Sequence, residues 1–283
     1  MTTVTLVTHA AVPDGVEDDH LLASALRAAD ADVRLAVWND PAVDWAKSDV
    51  TAIRSTWDYH LHPSAWFAWL AEASRRTRLV NPAGLVRWNS DKTYLIDLAA
   101  RGVAAVPTVL LAGPIDLAAL CANREWDDVV IKPAIGASAH GARRFQGAAI
   151  GMKGVEHAAA LIVTGRVLLQ PYQRAVEAER ERSLVYVDGT FCHAFTKPAF
   201  YAGLGEISLL RHEATSAERA LAHQVLAALP TRPTFARIDL LPSESGPLLM
   251  EAELVEPQLV LSHDPSCGDR LARALLWLAD KPT

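Results

Sequence analysis

Three acids in an otherwise apolar stretch, ARIDLLPSESGPLLMEAELVEP (Ala236 to Pro257), are the residues of this 283-residue chain whose types and spacing first suggest chemistry. Two runs of strand formers flank a Ser/Gly/Pro turn, which predicts an antiparallel hairpin. Strand side chains alternate faces, so Glu251 and Glu253 share one. The register that sets Asp239 opposite Glu251 also sets Arg237 opposite Glu253 on that face. Like charges across a ladder repel. A hard divalent cation bound by carboxylate oxygens would relieve that repulsion. Acids on the wet side of an exposed hairpin are the competing reading.

Two lysines precede the hairpin in settings that suit an anion. In NSDKTYLIDLAARGV, Ser90 reads as a helix N-cap and Gly102 as the residue past its end, which puts Lys92 in the first turn. A cation there opposes the helix dipole unless an anion is held between it and the free N–H groups, although a solvated surface lysine fits the same spacing. In VVIKPAIGASAHGARRF a buried apolar strand delivers Lys132 at its end, and the small-residue loop Gly136 to Gly141 follows. Small side chains let backbone N–H groups approach a phosphate, and Ser138 adds a hydroxyl donor; an ordinary turn is the alternative. Gly136 and Gly141 have the spacing of a Walker loop, but Ala142 and Arg143 stand where Lys and Ser/Thr are required, which rejects a P-loop NTPase.

The elements that must position these residues alternate between strand and helix, without internal repeats. VTLVTH, a helix over Asp19 to Ala29 and VRLAVW make a βαβ opening, whose first turn lacks G-x-G-x-x-G and gives no support to a dinucleotide site. AIRSTWDYH runs from strand into a polar, aromatic loop, Pro63 to Ser74 reads as helix, and Pro82 with Gly84 marks a boundary. Trp66 and Trp69, at helical spacing, read as core. The fold class is α/β. With 51% apolar residues the chain can bury one large core or several smaller ones, and a net charge of −6 leaves no basic excess for nucleic acid or an anionic membrane. The three cysteines have no CxxC spacing, and the start lacks a basic, apolar leader, so a soluble protein of the reducing cytoplasm is expected.

From about Asn89 to Pro257 the chain resembles the ATP-grasp superfamily, and within it the glutathione-synthetase-like and RimK-type ribosomal-modification ligases. The resemblance rests on NSDKTY, VVIKP with its loop, LLQPYQ, ERERSLVYVDG, and ARID with MEAELVEP, in the family's order. RSTWDY and VEPQL are similar to the branch of D-cycloserine-forming ligases. The resemblance implies an ATP-grasp fold: an amino-terminal substrate-side domain over residues 1–86, a small lobe over 87–168 and a carboxy-terminal lobe over 169–283, the two lobes clasping ATP.

Carried over by residue, the resemblance implies that Lys92 and Lys132 contact nucleotide phosphates and that Gly136, Ser138 and Gly141 belong to the loop closing over them. Gln170, Tyr172 and Gln173 match the adenine hinge, and Glu181 matches the ribose-binding acid, with Glu177 and Glu179 crowding the same stretch. Arg237 matches a phosphate-binding arginine, and Asp239, Glu251 and Glu253 match the ligands of Mg2+, for which Mn2+ can substitute. This sequence departs from the pattern where Glu253 replaces the usual Asn and Ser183 replaces an Arg, and His140 fits the loop only with its ring turned outward or toward substrate.

The implied reaction is carboxylate activation by ATP and capture by an amine, with a kinase on the same scaffold or a non-catalytic nucleotide-binding regulator as alternatives. Arg54, Ser55, Thr56 and Asp58 offer a cation, hydroxyls and an acid to a small amino-acid-like substrate; a strand end capped by Asp58 is the other reading. Lys197, before FYAGLGEIS, reads either as part of a mobile lid that contacts phosphate or as a hairpin end. Relatives suggest a homo-oligomer.

Overall fold

The computed structural model describes residues 1–113, 116–198 and 209–281. Its first unit is a parallel sheet in the order β2-β1-β3-β4, formed by β1 (Thr3–Thr8), β2 (Asp32–Val37), β3 (Val50–Ser55) and β4 (Arg78–Val80). Parallel strands require crossovers that cover both faces. Accordingly α1 (Glu17–Ala28) packs Leu22 and Leu26 on one side, while α2 (Pro63–Arg76) packs Trp66, Trp69 and Leu70 on the other. The expected βαβ opening is present, and Trp66 and Trp69 are core, stacked at 4.8 Å between ring centroids. The acids Glu17, Asp18 and Asp19 in the first turn of α1 complement its dipole.

Two antiparallel sheets follow. After α3 (Ala83–Asn89) and α4 (Tyr94–Ala100), β5 (Val109–Leu111), β6 (Asp128–Pro133), β7 (Arg143–Gln146) and β8 (Val167–Pro171) form a four-stranded sheet in the order β5-β8-β6-β7. The helices α5 (Leu117–Ala122) and α6 (Val155–Ile162) cover its apolar side. Beyond α7 (Ala175–Glu179), β9 (Glu181–Val187), β10 (Thr190–Lys197), β11 (Leu210–His212), β12 (Phe235–Leu241) and β13 (Leu248–Glu253) build a five-stranded sheet in the order β11-β10-β9-β12-β13. The segment FYAGLGEIS, expected as a lid, lies outside the described residues.

Period-two alternation gives the five-stranded sheet two unlike faces. Leu184, Tyr186, Ala236, Ile238, Leu240 and Ala252 pack beneath α4 and α8 (Ser216–Ala228). On the opposite face Val185, Val187, Phe195 and Phe235 join the core of the first unit and α9 (Pro265–Ala279). Further along, that same face turns charged. Each buried Leu or Ile in these clusters contributes roughly 1.5–3 kcal/mol, so the apolar half of the face anchors the charged half against the first unit. Among the described residues no helix is long and apolar enough to cross a membrane.

Candidate active site

The hairpin β12–β13 has the expected register, with Arg237 opposite Glu253 and Asp239 opposite Glu251. Between Asp239 and Leu240 the register shifts, because the step from Glu251 to Leu249 spans two residues. This bulge keeps Leu249 in the core while Glu251 and Glu253 stay on the charged face. Neighbouring strands add to that face, since Ser183 of β9 lies opposite both Asp239 and Phe195, and Lys197 of β10 lies opposite Glu181.

The acids do not meet unscreened, as the sequence had suggested; protein cations are interleaved with them. Asp239 is fully buried and accepts from Arg237 Nε and Nη2, both at 2.9 Å, and from Lys197 Nζ at 2.6 Å. Arg237 also reaches Glu253 at 2.5 Å and donates from Nη1 to the Gln258 carbonyl at 3.1 Å. Lys197 bridges to Glu181 at 3.2 Å, and Lys92 pairs with Glu251 at 2.6 Å.

The titration of these groups follows their surroundings. Burial opposes ionisation throughout, but Arg237 and Lys197 hold Asp239 well below the carboxylate range, and Lys92 and Lys132 hold Glu251 down at about 2. Burial prevails elsewhere: Glu181 is pushed up to about 7, and Glu253 is raised despite Arg237. Glu256, unremarked among the sequence candidates, is pushed up to about 8 by burial and the Glu253 charge. Its signals were the spacing E-x-E-x-x-E and its place in VEPQL.

Asp239, Glu251 and Glu253 each offer an oxygen within 4.8 Å of the others. Hard oxygen donors at that spacing fit Mg2+ or Mn2+. The two lysines expected at the nucleotide phosphates come from elsewhere in the chain. Lys132, 8% exposed at the end of β6, has its ammonium pushed down to about 8 by burial, with Glu251 opposing and Lys92 reinforcing the fall. Lys92 is tied to the same corner through its N–H, which donates to the Ala134 carbonyl at 2.8 Å. It does not sit in a first helical turn. The first helix ends at Asn89, Ser90 turns its hydroxyl back onto the Val86 carbonyl, and the Asp91 carboxylate accepts the Thr93 N–H before α4 begins. Gly102, at φ +87°, does end α4 as expected.

The loop after Lys132 joins β6 to β7 as an antiparallel connection, not the strand-to-helix turn of a Walker motif. Ser138, Ala139 and Gly141 take positive φ there, and a Cβ at Gly141 would sit 3.2 Å from Pro133. The His140 ring packs 5.2 Å from His60 of the first unit, turned toward the loop that follows β3.

The expected hinge lies at the end of β8. Gln170 is buried and donates to Thr108 Oγ1 at 2.8 Å, the Tyr172 N–H donates to the Asp128 carbonyl, and Gln173 donates to the Pro171 carbonyl at 3.2 Å. Arg144 stacks over the Tyr172 ring at 3.5 Å. Of the three crowded acids, Glu177 is engaged by Arg144 and Tyr172 and Glu179 by Arg182; Glu181 alone joins the charged face.

The amino-terminal candidates divide. Arg54, 2% exposed, faces Asp18 and Asp19 at 3.8 and 3.6 Å, and Ser55 donates to Asp19 at 2.7 Å. Asp18 in turn accepts the N–H groups of Leu259, Val260 and Leu261. These residues brace the first unit against the chain leaving the hairpin. Thr56 is also buried, and Asp58 accepts from the Trp38 indole at 2.7 Å but caps no backbone N–H with its side chain. Trp57 reaches the site's edge, donating to the Glu256 carbonyl at 3.3 Å.

An α/β unit followed by two antiparallel sheets, one carrying the hinge and a lysine and the other paired acids and cations, defines the ATP-grasp ligase class. A RimK domain ATP-grasp protein from Sphaerobacter thermophilus superposes with a TM-score of 0.75 over 97% of this chain and 100% of its own, at 18% identity. Nearer relatives narrow the class. The cycloserine biosynthesis protein DcsG of Streptomyces lavendulae is 33% identical over 257 residues, 84% of this chain and 86% of the relative. The crystal structure of D-cycloserine synthetase DcsG superposes with a TM-score of 0.89 at 31% identity, covering 98% of this chain and 100% of that one. The family model for the amino-terminal domain of D-cycloserine synthetase DcsG matches residues 4–81. The chain therefore belongs to the DcsG family of ATP-grasp ligases, enzymes that form amide bonds with ATP.

Proposed function

We propose that the enzyme activates the carboxylate of a small amino-acid-like molecule with ATP and closes a ring by attack of an amine on the same molecule, as the name of its DcsG relatives suggests for antibiotic biosynthesis. Disconnecting the one amide of D-cycloserine leaves a D-amino acid whose side chain ends in an oxyamine. The substrate class is thus a 3-aminooxy-D-alanine. The observation that carries the reading is the charged face itself, where Asp239, Glu251 and Glu253 lie among Lys92, Lys197 and Arg237 with Lys132 close by.

Transfer of the γ-phosphoryl group to a carboxylate needs alignment and charge neutralisation more than a protein nucleophile. Lys92 and Lys132 would hold the phosphates, with the backbone of Gly136, Ser138 and Gly141 over them. Gln170, Tyr172 and Gln173 would hold adenine, and Glu181 the ribose. Asp239, Glu251 and Glu253 would hold Mg2+, which when bound screens the phosphate charge. Arg237 and Lys197, now committed to Asp239, are placed to follow the charge that develops on the transferred group. The amine nitrogen then attacks the acyl carbon, forming the C–N bond as the C–O bond to phosphate breaks, and inorganic phosphate and the nitrogen's proton are released.

The test measures ADP and phosphate release with 3-aminooxy-D-alanine, and mass spectrometry of the product. Release coupled one-to-one to a product lighter than the substrate by one water is expected. A product heavier by a phosphoryl group would replace the ligase reading with a kinase.

A further inference from the structure

Glu256 is an acid beside the charged face that forms no ion pair among the described residues, although the Lys92 charge acts on it from a distance. Asp239 is held by Arg237 and Lys197, Glu251 by Lys92, Glu253 by Arg237 and Glu181 by Lys197. Among the described residues the Glu256 carboxylate has no ion pair, and it accepts only its own backbone N–H. Nor does it join the three acids whose oxygens lie within 4.8 Å of one another.

Its position is rigidly set. Asn89 grips the segment by the Ala252 carbonyl at 2.7 Å and the Leu254 N–H at 2.9 Å, and Asn81 donates to the Leu254 carbonyl at 2.8 Å. Trp57 holds the Glu256 carbonyl, Arg237 the Gln258 carbonyl and Asp18 the three amides beyond. Val255 and Pro257 are buried on either side, while Glu256 stays half-buried. The backbone of Glu256 is thereby held against Trp57, and its carboxylate is near enough to Glu251, Glu253, Lys92 and Tyr59 to act on their charges. That place is the boundary between the phosphate-handling sheet and the substrate-side domain.

We propose that the Glu256 carboxylate is the counter-ion for the α-ammonium group of the substrate, an assignment that rests on the ligase reading above. A zwitterionic amino acid needs cations for its carboxylate and an anion for its ammonium. The site supplies the first in excess and the second once. Without an ammonium beside it, burial keeps the Glu256 carboxyl protonated, so a substrate lacking the amino group forgoes the charge-assisted pairing and binds more weakly.

The experiment compares 3-aminooxy-D-alanine with 3-aminooxypropanoate, the same chain without the α-amino group, by ADP release and by calorimetric binding in the presence of ADP. The wild type should favour the amino compound by about ten- to a hundredfold, the scale of one charge-assisted pairing. Glu256→Gln should erase that preference through the amino compound alone, leaving the KM for ATP unchanged, and Glu256→Asp should recover part of it. An equal loss for both compounds, or an unchanged ratio in Glu256→Gln, overturns the assignment while the ligase reading stands. Wild-type ADP release that responds to neither acid overturns the ligase reading and the assignment together. Should Glu256→Gln fail to fold, Glu256→Asp decides, because a lengthened carboxylate-to-ammonium distance must still lower the ratio.

Discussion

At the scale of single residues, Lys132 is the group whose state the ligand must change. Burial holds its ammonium down at about 8 while the site is without nucleotide, and phosphate oxygens beside it would restore the proton. Nucleotide binding above that pH therefore takes up a proton. The Kd for ATP should rise as pH climbs past about 8, approaching about tenfold per pH unit. Lys132→Ala should flatten this slope and weaken binding by ~1.5–3 kcal/mol, the scale of a charged hydrogen bond. Calorimetry in buffers of different ionisation heat reads the proton directly. Identical pH slopes in wild type and Lys132→Ala would remove Lys132 from the phosphate site. The sequence identified Lys132 by its place at a strand end, but its depressed basicity comes from burial beneath neighbours far away in the chain.

At the scale of elements, the β12–β13 hairpin shows how register turns residue identity into a site. Asp239 and Glu251 face each other across the ladder, and the bulge beyond them holds Leu249 in the core. Asp239→Asn should be the severest change, because it weakens the hold on Arg237 and Lys197 as well as on the cation. Glu251→Gln should follow closely. Turnover in each should fall by about a hundredfold or more, the usual range for losing one transition-state electrostatic contact. Glu253→Asn keeps an oxygen donor and removes an acid that burial already discourages from ionising, so its loss should be the smallest of the three. Steady-state kinetics at saturating Mg2+ ranks them, and a Glu253→Asn variant as inactive as Asp239→Asn would refute the order. The hairpin and its register were legible in the alternation of ARID and MEAE. The interleaved lysines were not, because Lys92 and Lys197 belong to other elements.

At the scale of the whole molecule, the charged face costs stability in one pH window and returns it in another. Glu181 and Glu256 keep their protons up to about 7 and about 8, whereas the unfolded chain releases them near 4.5. Between those values the folded state binds more protons than the unfolded state, so this contribution to stability falls as pH rises. Glu251 behaves oppositely, its contribution being lost only as pH drops from 4.5 toward about 2. A divalent cation bound by Asp239, Glu251 and Glu253 should raise Tm more at pH 8 than at pH 5, since Asp239 and Glu251 are ionised at both but Glu253, raised by burial, must give up its proton to bind it. A Tm series across pH, with and without Mg2+, checks this. An equal Mg2+ effect in a triple alanine variant of Asp239, Glu251 and Glu253 would show that the cation acts elsewhere. Glu256→Gln should remove the upper part of the pH slope without abolishing the Mg2+ effect.

Local pattern was enough to determine the α/β class, the first βαβ and the hairpin with its register, and the resemblance of successive motifs marked an ATP-grasp ligase. Periodicity and turn chemistry act over a few residues, and a single chain displays them in full. Tertiary structure decided the rest. It placed Arg54 and Ser55 in a buried brace with Asp18 and Asp19, where the loop's composition had equally allowed a substrate contact. It moved Lys92 out of a helix and onto Glu251, separated Glu181 from Glu177 and Glu179, and left Glu256 without an ion pair among the described residues. Each of these outcomes depends on which charge arrives from a distant segment and how much water it excludes. Electrostatic energies in a buried site are set by that geometry, which spacing along the chain does not encode.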